Sequence, residues 1–408
     1  MGHARQARNA ADRAACSGPV AVDLFSGAGG LSLGLGWAGF DVRLGVDNDP
    51  HALRTFAANH SGKPLEADIN DLSGADILAE AGASEIHLLA GGPSCQGFST
   101  HGKRFADDPR NFLYKEFLRV VKELGPPTVL IENVKGMLIA KNGAFRDEIY
   151  AEFRKLGYAI TGEIALAADY GVPQLRQRVI FLATRLSDEP IVHPTPTHSA
   201  NGHSERFPHR TVAQAIGDLP LVGVGDHDSS LSYASPVEDD YQAELRSSAE
   251  VVFNHVTRTP SDLALAIIER IEQGEGLRSL PISMLPNRFR KMRTISTGAH
   301  RRDCTTLYYR LAEDRPAYTI TCYFTNVSAG AFTHPVANRS ISPREAARIQ
   351  SFPDWFRFVG SYIPRQIGNA VPPMMARAFG DVLIDHLEEH ARSTMSSRRR
   401  TRSNNVRV

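Results

Sequence analysis

Cysteine is scarce in this chain: four in 408 residues, at Cys16, Cys95, Cys304 and Cys322, with no Cys-x-x-Cys among them. That spacing excludes a disulfide framework and a cysteine-rich zinc site, so no metal centre is expected, and it fits a reducing cytoplasm. Long hydrophobic runs are absent too. No apolar stretch approaches the roughly 20 residues that span a bilayer, which excludes a membrane helix. The first 17 residues are polar, carry Arg5, Arg8 and Arg13, and lack the apolar centre of a secretory signal. Net charge is almost absent, at +1, and gives by itself no sign of a polyanionic partner. What remains is ordinary for a soluble globular chain long enough for two or three domains: 42% hydrophobic and 22% charged residues.

The charge is unevenly placed. Between Arg278 and Arg315 stand nine Arg or Lys against three acids, whereas 226–250 holds seven acids and one arginine, Arg246. After Ala391 come Arg392, Arg398, Arg399, Arg400, Arg402 and Arg407 and no acid. Blocks of like charge read as solvated or disordered tails, so 1–17 and 391–408 are expected to be disordered. The 278–315 block, which includes Phe289, Tyr308 and Tyr309, is the better candidate for phosphate contacts.

From 18 to about 185 short apolar strands alternate with amphipathic helices. Strands are expected at 20–25, 42–46, 85–90, 128–131, 159–166 and 178–184, with helices after 30, over 113–124 and over 145–156. Such alternation predicts an α/β fold with a doubly wound, mostly parallel sheet. The first strand runs into the loop Ser26-Gly27-Ala28-Gly29-Gly30, and the second ends at Asp47, 20 residues after Gly27. An acid at that separation suits ribose hydroxyls, and a helix N-terminus after Gly30 accepts a carboxylate as readily as a phosphate. The third glycine of the pyrophosphate fingerprint is replaced by Ser32. Ribose plus carboxylate without a pyrophosphate cradle describes S-adenosylmethionine better than NAD.

Three further motifs fall at strand ends, where open α/β sheets bind ligands. Gly91-Gly92-Pro93-Ser94-Cys95-Gln96 places a thiol in a stiffened loop, either as a nucleophile or as an inert buried cysteine. Glu132-Asn133-Val134 puts a carboxylate at the end of an apolar strand, as an acid catalyst or as a surface ion pair. Gln174-Leu175-Arg176-Gln177-Arg178 spaces two arginines by two, which on extended backbone aims both to one side, suited to an anion or a base carbonyl or to a solvent-facing edge. From 186 to 335 the alternation is lost, with one clear helix near 261–273. Order resumes at Ser342-Pro343-Arg344-Glu345, a full capping box, and a last amphipathic helix carries Met375, Phe379, Val382, Leu383 and Leu387.

Taken together, DLFSGAGG (23–30), GGPSCQGFS (91–99), ENV (132–134), QLRQR (174–178), REAARIQSFPD (344–354) and QIGNAVPP (366–373) resemble, in order, the motif set of the DNA cytosine-5 methyltransferases of bacterial restriction-modification type. Ser94, in place of a more common proline, is a small departure. The resemblance implies an S-adenosylmethionine-dependent Rossmann-like domain over 18–185 and 336–390, with a target-recognition domain over 186–335. It implies methyl transfer to carbon 5 of a cytosine flipped out of double-stranded DNA. Cys95 would add covalently at carbon 6, Glu132 would act at ring nitrogen 3, and Arg178 would hold the ring carbonyl, with Arg176 and Gln96 in the same group. For the cofactor it implies Phe25 against the adenine, Asp47 at the ribose, Asp68 and Ile69 at the adenine, and Gly27, Gly29, Gly30, Leu31, Asn48, Pro93, Leu113, Asn369 and Val371 in the rest of the pocket. The expected partner is double-stranded DNA, with a cognate restriction endonuclease sharing the site but no stable protein complex, for a monomer. A transferase acting on transfer RNA shares this catalytic set. An NAD-dependent oxidoreductase shares the sheet but is disfavoured by Ser32, and a non-catalytic DNA-binding protein by the intact Cys95, Glu132 and Arg178.

Overall fold

A computed structural model describes residues 18–93, 113–139, 143–203, 205–225, 230–247, 249–285 and 306–404, with 287 and 289, and side chains as far as Met395. The packing divides the chain into two compact units. The first holds residues up to Ala165, Gln177–Thr195 and the chain from Pro373 onward; the second holds Leu166–Arg176 and Pro196–Pro372.

The first unit is built on a seven-stranded sheet. Its strands are β1 (Val20–Leu24), β2 (Asp41–Asp47), β3 (Lys63–Glu66), β4 (Leu88–Gly91), β5 (Thr128–Val134), β6 (Ala159–Leu166) and, after the short β7 (Gln174–Leu175) of the second unit, β8 (Gln177–Thr184). They lie in the order β3-β2-β1-β4-β5-β8-β6. All pairings from β3 to β5 are parallel, and β8 runs antiparallel to β5. The strands are near-continuous apolar runs because helices cover a parallel sheet on both faces; Val20–Leu24 and Leu88–Gly91 are buried throughout. The core joins Val22, Leu24, Val46, Leu89, Val129 and Phe181 from the sheet with Phe117, Val121, Ile149 and Phe153 from the helices Leu113–Leu124 and Ala144–Lys155.

The chain order reverses beside β1, with β2 on one side and β4 on the other, and such a switch point opens a crevice at the carboxyl ends of the strands. Register makes those ends level. Leu24 pairs with both Val46 and Gly91, and Gly91 pairs with Ile131. The next residue on each strand is therefore Phe25, Asp47, Gly92 and Glu132, in one row. At ~4.8 Å per strand, Asp47 and Glu132 stand roughly 14 Å apart across it.

The helix α1 (Gly30–Ala38) lies against the last helix, Pro373–Asn404. Their contact depends on small residues: a Cβ on Gly34 would sit 2.3 Å from the carbonyl oxygen of Pro373, and one on Gly380 would sit 2.6 Å from Cβ of Ala38. The expected disorder after residue 391 is corrected in part, since the backbone stays helical through Asn404. The stretch 381–404 contains neither Gly nor Pro, and arginine is a good helix former. The expected tail 1–17 lies outside the described residues.

Among the described residues the second unit has little sheet, only two-residue strand pairs such as β7 with Ala317–Tyr318, in keeping with the irregular sequence. A small core gathers Ile267, Ile268, Leu277, Leu285, Tyr308 and Val327. Its principal ties are buried charges. Arg348 binds Asp354 through Nε and Nη2, both at 2.7 Å, and Asp218 through Nη1 at 3.0 Å. Arg339 meets Glu345 with two bonds of 2.8 Å. Arg344 donates to the carbonyls of Phe253, Pro353 and Phe356. Ser342 and Glu345 form the expected capping box. These bonds tie 342–354 to residues near 218 and 253, so 336–372 packs with this unit. The sequence reading returned the chain to the catalytic domain at 336; the packing returns it at Pro373.

Candidate active site at the strand ends

The loop after β1 is held in an unusual conformation. Phe25 has φ 62°, a left-handed value that costs a non-glycine residue energy and concentrates at functional sites. Gly29 has φ 91° and N-caps α1. The loop is fixed from the next strand: the Asp47 carboxylate accepts from the Gly27 amide at 2.8 Å with one oxygen and from the Asp49 amide at 2.9 Å with the other. Burial pushes the Asp47 carboxyl above its ordinary range, against the lowering effect of these amides. Each oxygen keeps a lone pair for a ligand hydroxyl. Asn48 follows, exposed in the turn.

Behind the loop lies a second carboxylate. Asp23 is fully buried and accepts a 2.6 Å bond from the Ser32 hydroxyl with Oδ2. Its Oδ1 and the buried Ser26 hydroxyl have no hydrogen-bond partner among the described residues. Burial raises the Asp23 carboxyl from 3.8 to about 7; the Ser32 bond opposes that rise and the nearby Asp47 charge adds to it. Ser32, where the pyrophosphate fingerprint has glycine, thus binds an internal anion at the first turn of α1. A helix N-terminus already facing a carboxylate is poorly suited to a diphosphate and well suited to a ligand with a positive centre. The residues present therefore fit S-adenosylmethionine.

On the far side of β2, Asp68 caps a short turn by accepting from the Asn70 amide at 2.9 Å, and Ile69 is buried in the core. Arg119 braces this turn by donating to the carbonyls of Ile69 (2.8 Å) and Leu72 (2.9 Å). Sequence reasoning missed Arg119, whose only signal was a helical position among acids. Gly30, Leu31 and Pro93 are buried, and Leu113 packs on the core.

At the other end of the row, Glu132 is 8% exposed and its Oε1 lies 2.9 Å from Nε of Arg178. The antiparallel register, with Val134 opposite Arg178, brings the two together. Burial lowers the proton affinity of the guanidinium and the Glu132 charge partly restores it. Glu132 also faces the glycine loop: a Cβ on Gly92 would sit 3.2 Å from Oε2. Asn133 donates from Nδ2 to the Pro93 carbonyl at 2.7 Å, anchoring the chain two residues before Cys95. Cys95 and Gln96 themselves lie outside the described residues.

Arg176 requires a correction. It belongs to the second unit, is 1% exposed, and donates to the carbonyls of Ile320, Gly368 and Ala370 at 3.0–3.2 Å. It is a brace for the helix Ile363–Asn369 rather than a group free to hold substrate. Asn369, exposed, and Val371, buried, lie on the stretch it supports. Arg310 is a brace as well, donating to the carbonyls of Ile271, His334 and Ile268. One of the nine cations in 278–315 is therefore spent on backbone, and 288 and 290–305 lie outside the described residues.

The family described as C-5 cytosine-specific DNA methylase matches residues 20–385. This chain belongs to it. The methylase is 34% identical to the type II methyltransferase M1.HphI of Haemophilus parahaemolyticus, over 90% of this chain and 87% of that one. It is 35% identical to M.XorII of Xanthomonas oryzae pv. oryzae, over 91% and 86%. Among solved structures it is similar to a DNA modification methyltransferase encoded within an E. coli prophage, with TM-score 0.69 and 28% identity over 91% of this chain and 99% of that one. The S. pombe Dnmt2 methyltransferase shares the fold, with TM-score 0.58 and 17% identity over 90% and 99%. The methylase thus transfers a methyl group from S-adenosylmethionine to carbon 5 of cytosine in DNA.

Proposed function

We propose that the methylase is the modification enzyme of a type II restriction-modification system, acting in the cytoplasm on a specific duplex sequence, as a monomer that needs no stable protein partner. The type II names of its relatives at 34–35% identity support this. Among the described residues no helix is long and apolar enough to cross a membrane. A cognate endonuclease would share the site recognised by the second unit.

The observation that carries the catalytic assignment is the Glu132–Arg178 pair at the strand end beside the Gly92-Pro93 loop. Carbon 5 of cytosine is a weak nucleophile. Addition of the Cys95 sulfur at carbon 6 makes the ring an enamine, nucleophilic at carbon 5. Glu132 gives a hydrogen bond or proton to ring nitrogen 3 as the sulfur adds, and Arg178 orients Glu132 and holds the ring carbonyl. S-adenosylmethionine supplies the electrophilic methyl group when bound. Loss of the carbon 5 proton then expels the Cys95 thiolate. Asp47 positions the donor's ribose, and Phe25 and the Asp68–Ile69 turn its adenine. The target base lies inside a duplex and must be flipped out to reach these groups.

The test is trapping. DNA carrying 5-fluorocytosine should hold the enzyme covalently, because fluorine cannot leave as a proton does, and Cys95→Ala should neither be trapped nor methylate. A Cys95→Ala enzyme that still methylates overturns the assignment. Bisulfite sequencing of DNA from an expressing host that is otherwise methylation-free reads the sequence recognised, and transfer RNA assayed alongside should remain unmodified.

A further inference from the structure

Asp23 is a buried carboxyl that the reaction as described does not use. It lies two residues before Phe25, beneath the glycine loop, with one oxygen on Ser32 and the other without a partner among the described residues. Among the described residues the charged neighbours are few. Asp47 on β2 adds a like charge, with Asp49 beyond it at the head of the helix Pro50–Asn59. On the other side β4 (Leu88–Gly91) has no charged side chain, and neither has α1 from Gly30 to Ala38. His60 approaches the loop at Gly29, where an added Cβ would lie 2.1 Å from Nε2. An isolated carboxylate in such a place costs free energy unless a cation comes near it.

We propose that Asp23 is a positioning residue that sets cofactor specificity: its buried carboxylate favours the cationic methyl donor over the neutral product. The donor carries a sulfonium; after transfer the same sulfur is an uncharged thioether, while the adenosine and amino-acid parts are unchanged. Groups that touch only the shared parts, Asp47 among them, act on both ligands alike. A negative charge beneath the loop acts on the difference. It draws the enzyme toward fresh donor and releases spent product, without touching either.

The inference also predicts a proton. Near neutral pH the Asp23 carboxyl is partly protonated, and a nearby positive charge expels that proton to solvent. By linkage, a donor that lowers the proton affinity of Asp23 tenfold gains up to tenfold in its own affinity as pH rises through that range, and the product gains nothing.

The experiment is calorimetric titration of the whole protein with S-adenosylmethionine and with S-adenosylhomocysteine at pH 6 and pH 8.5, in buffers of differing ionisation heat. The ratio of the two affinities should move several-fold toward the donor at the higher pH, with proton release on donor binding alone. Asp23→Asn should make the ratio independent of pH and lower at pH 8.5. Ser32→Ala keeps the carboxylate but removes its hydrogen bond, so the midpoint of the pH dependence should move upward; this variant serves if Asp23→Asn does not fold. Identical pH dependence for both ligands in the unaltered protein overturns the inference. Failure of both ligands to bind would instead count against the cofactor site itself.

Discussion

The two units use charge in opposite ways. In the first, the interior is mostly hydrocarbon, with the Asp23–Ser32 pair buried beneath the glycine loop, and further polar side chains gather where strands stop: Asp47, Glu132 and Asn133 at the carboxyl ends, with Arg178 entering beside Glu132. In the second, charge is the interior. Arg176, Arg339, Arg344 and Arg348 are at most 1% exposed, and their hydrogen bonds go to carboxylates or backbone carbonyls. A chain with little regular sheet leaves many carbonyls without ladder partners, and buried ones must be satisfied. Arginine, with five donors on a planar head, can serve several at once. An arginine count in this half of the molecule is therefore not a count of DNA contacts.

The contrast is open to attack by mutation. The largest effect should be chemical and confined to the first unit. Glu132→Gln keeps a donor but removes the transferable proton, so the rate should fall ~10²–10⁴-fold with cofactor affinity little changed; a loss seen only in cofactor binding would mean the residue is misplaced. The next should be structural and confined to the second. Arg348→Ala takes from buried Asp354 and Asp218 their closest cation, leaving Arg344 at 3.7 Å from the first and Arg246 at 3.3 Å from the second, at a cost of up to about 3–5 kcal/mol. Hydrogen exchange should show protection lost in 210–220 and 342–356 before it falls in β1 or β4; uniform loss would show that the units do not unfold separately.

A third prediction concerns acid. Burial holds the His334 imidazole down at about 4, and the Arg339 guanidinium holds the Glu345 carboxyl below its ordinary range against burial. Both groups bind protons more weakly folded than unfolded. Their contribution is complete above the unfolded values and is lost as pH falls, first for His334 below about 6.5 and then for Glu345 below the carboxylate range. Asp23 runs the other way, its proton affinity raised in the fold, so its burial costs most above neutral pH. Melting followed from pH 8 to pH 4 should thus weaken the second unit and not the β1 region. The smallest effect should come from Arg119→Ala. Its ion pairs with Glu116 and Glu123 are partly exposed and worth under about 1 kcal/mol. Losing its bonds to the Ile69 and Leu72 carbonyls should loosen the turn Ile69–Asp71 and, on the proposed place of that turn beside the adenine, raise the KM for the methyl donor a few-fold, with kcat unchanged.

Much of the first unit was legible because its signals are local. A strand of a parallel sheet is an apolar run, and the residue just past it is a site candidate, which is how Asp47 and Glu132 stood out. Arg176 misled because the alternation rule assumes one continuous strand. The chain changes units between Arg176 and Gln177, so two residues of one short motif serve different interiors. Arg339, Arg344 and Arg348 were invisible as core residues, since their carboxylate and carbonyl partners lie up to 133 positions away and no sequence period announces such a pair.

The glycine contact between α1 and the last helix bears on how the protein is made. α1 begins at residue 30 and its partner at residue 373, so on a ribosome the first unit waits, with its glycine face open, until nearly everything else has been synthesised. The first unit is thus begun before the second and finished after it. A separately supplied peptide covering 373–395 should complete a chain that stops at Pro372, which makes this helix the natural place to split the enzyme into two complementing parts.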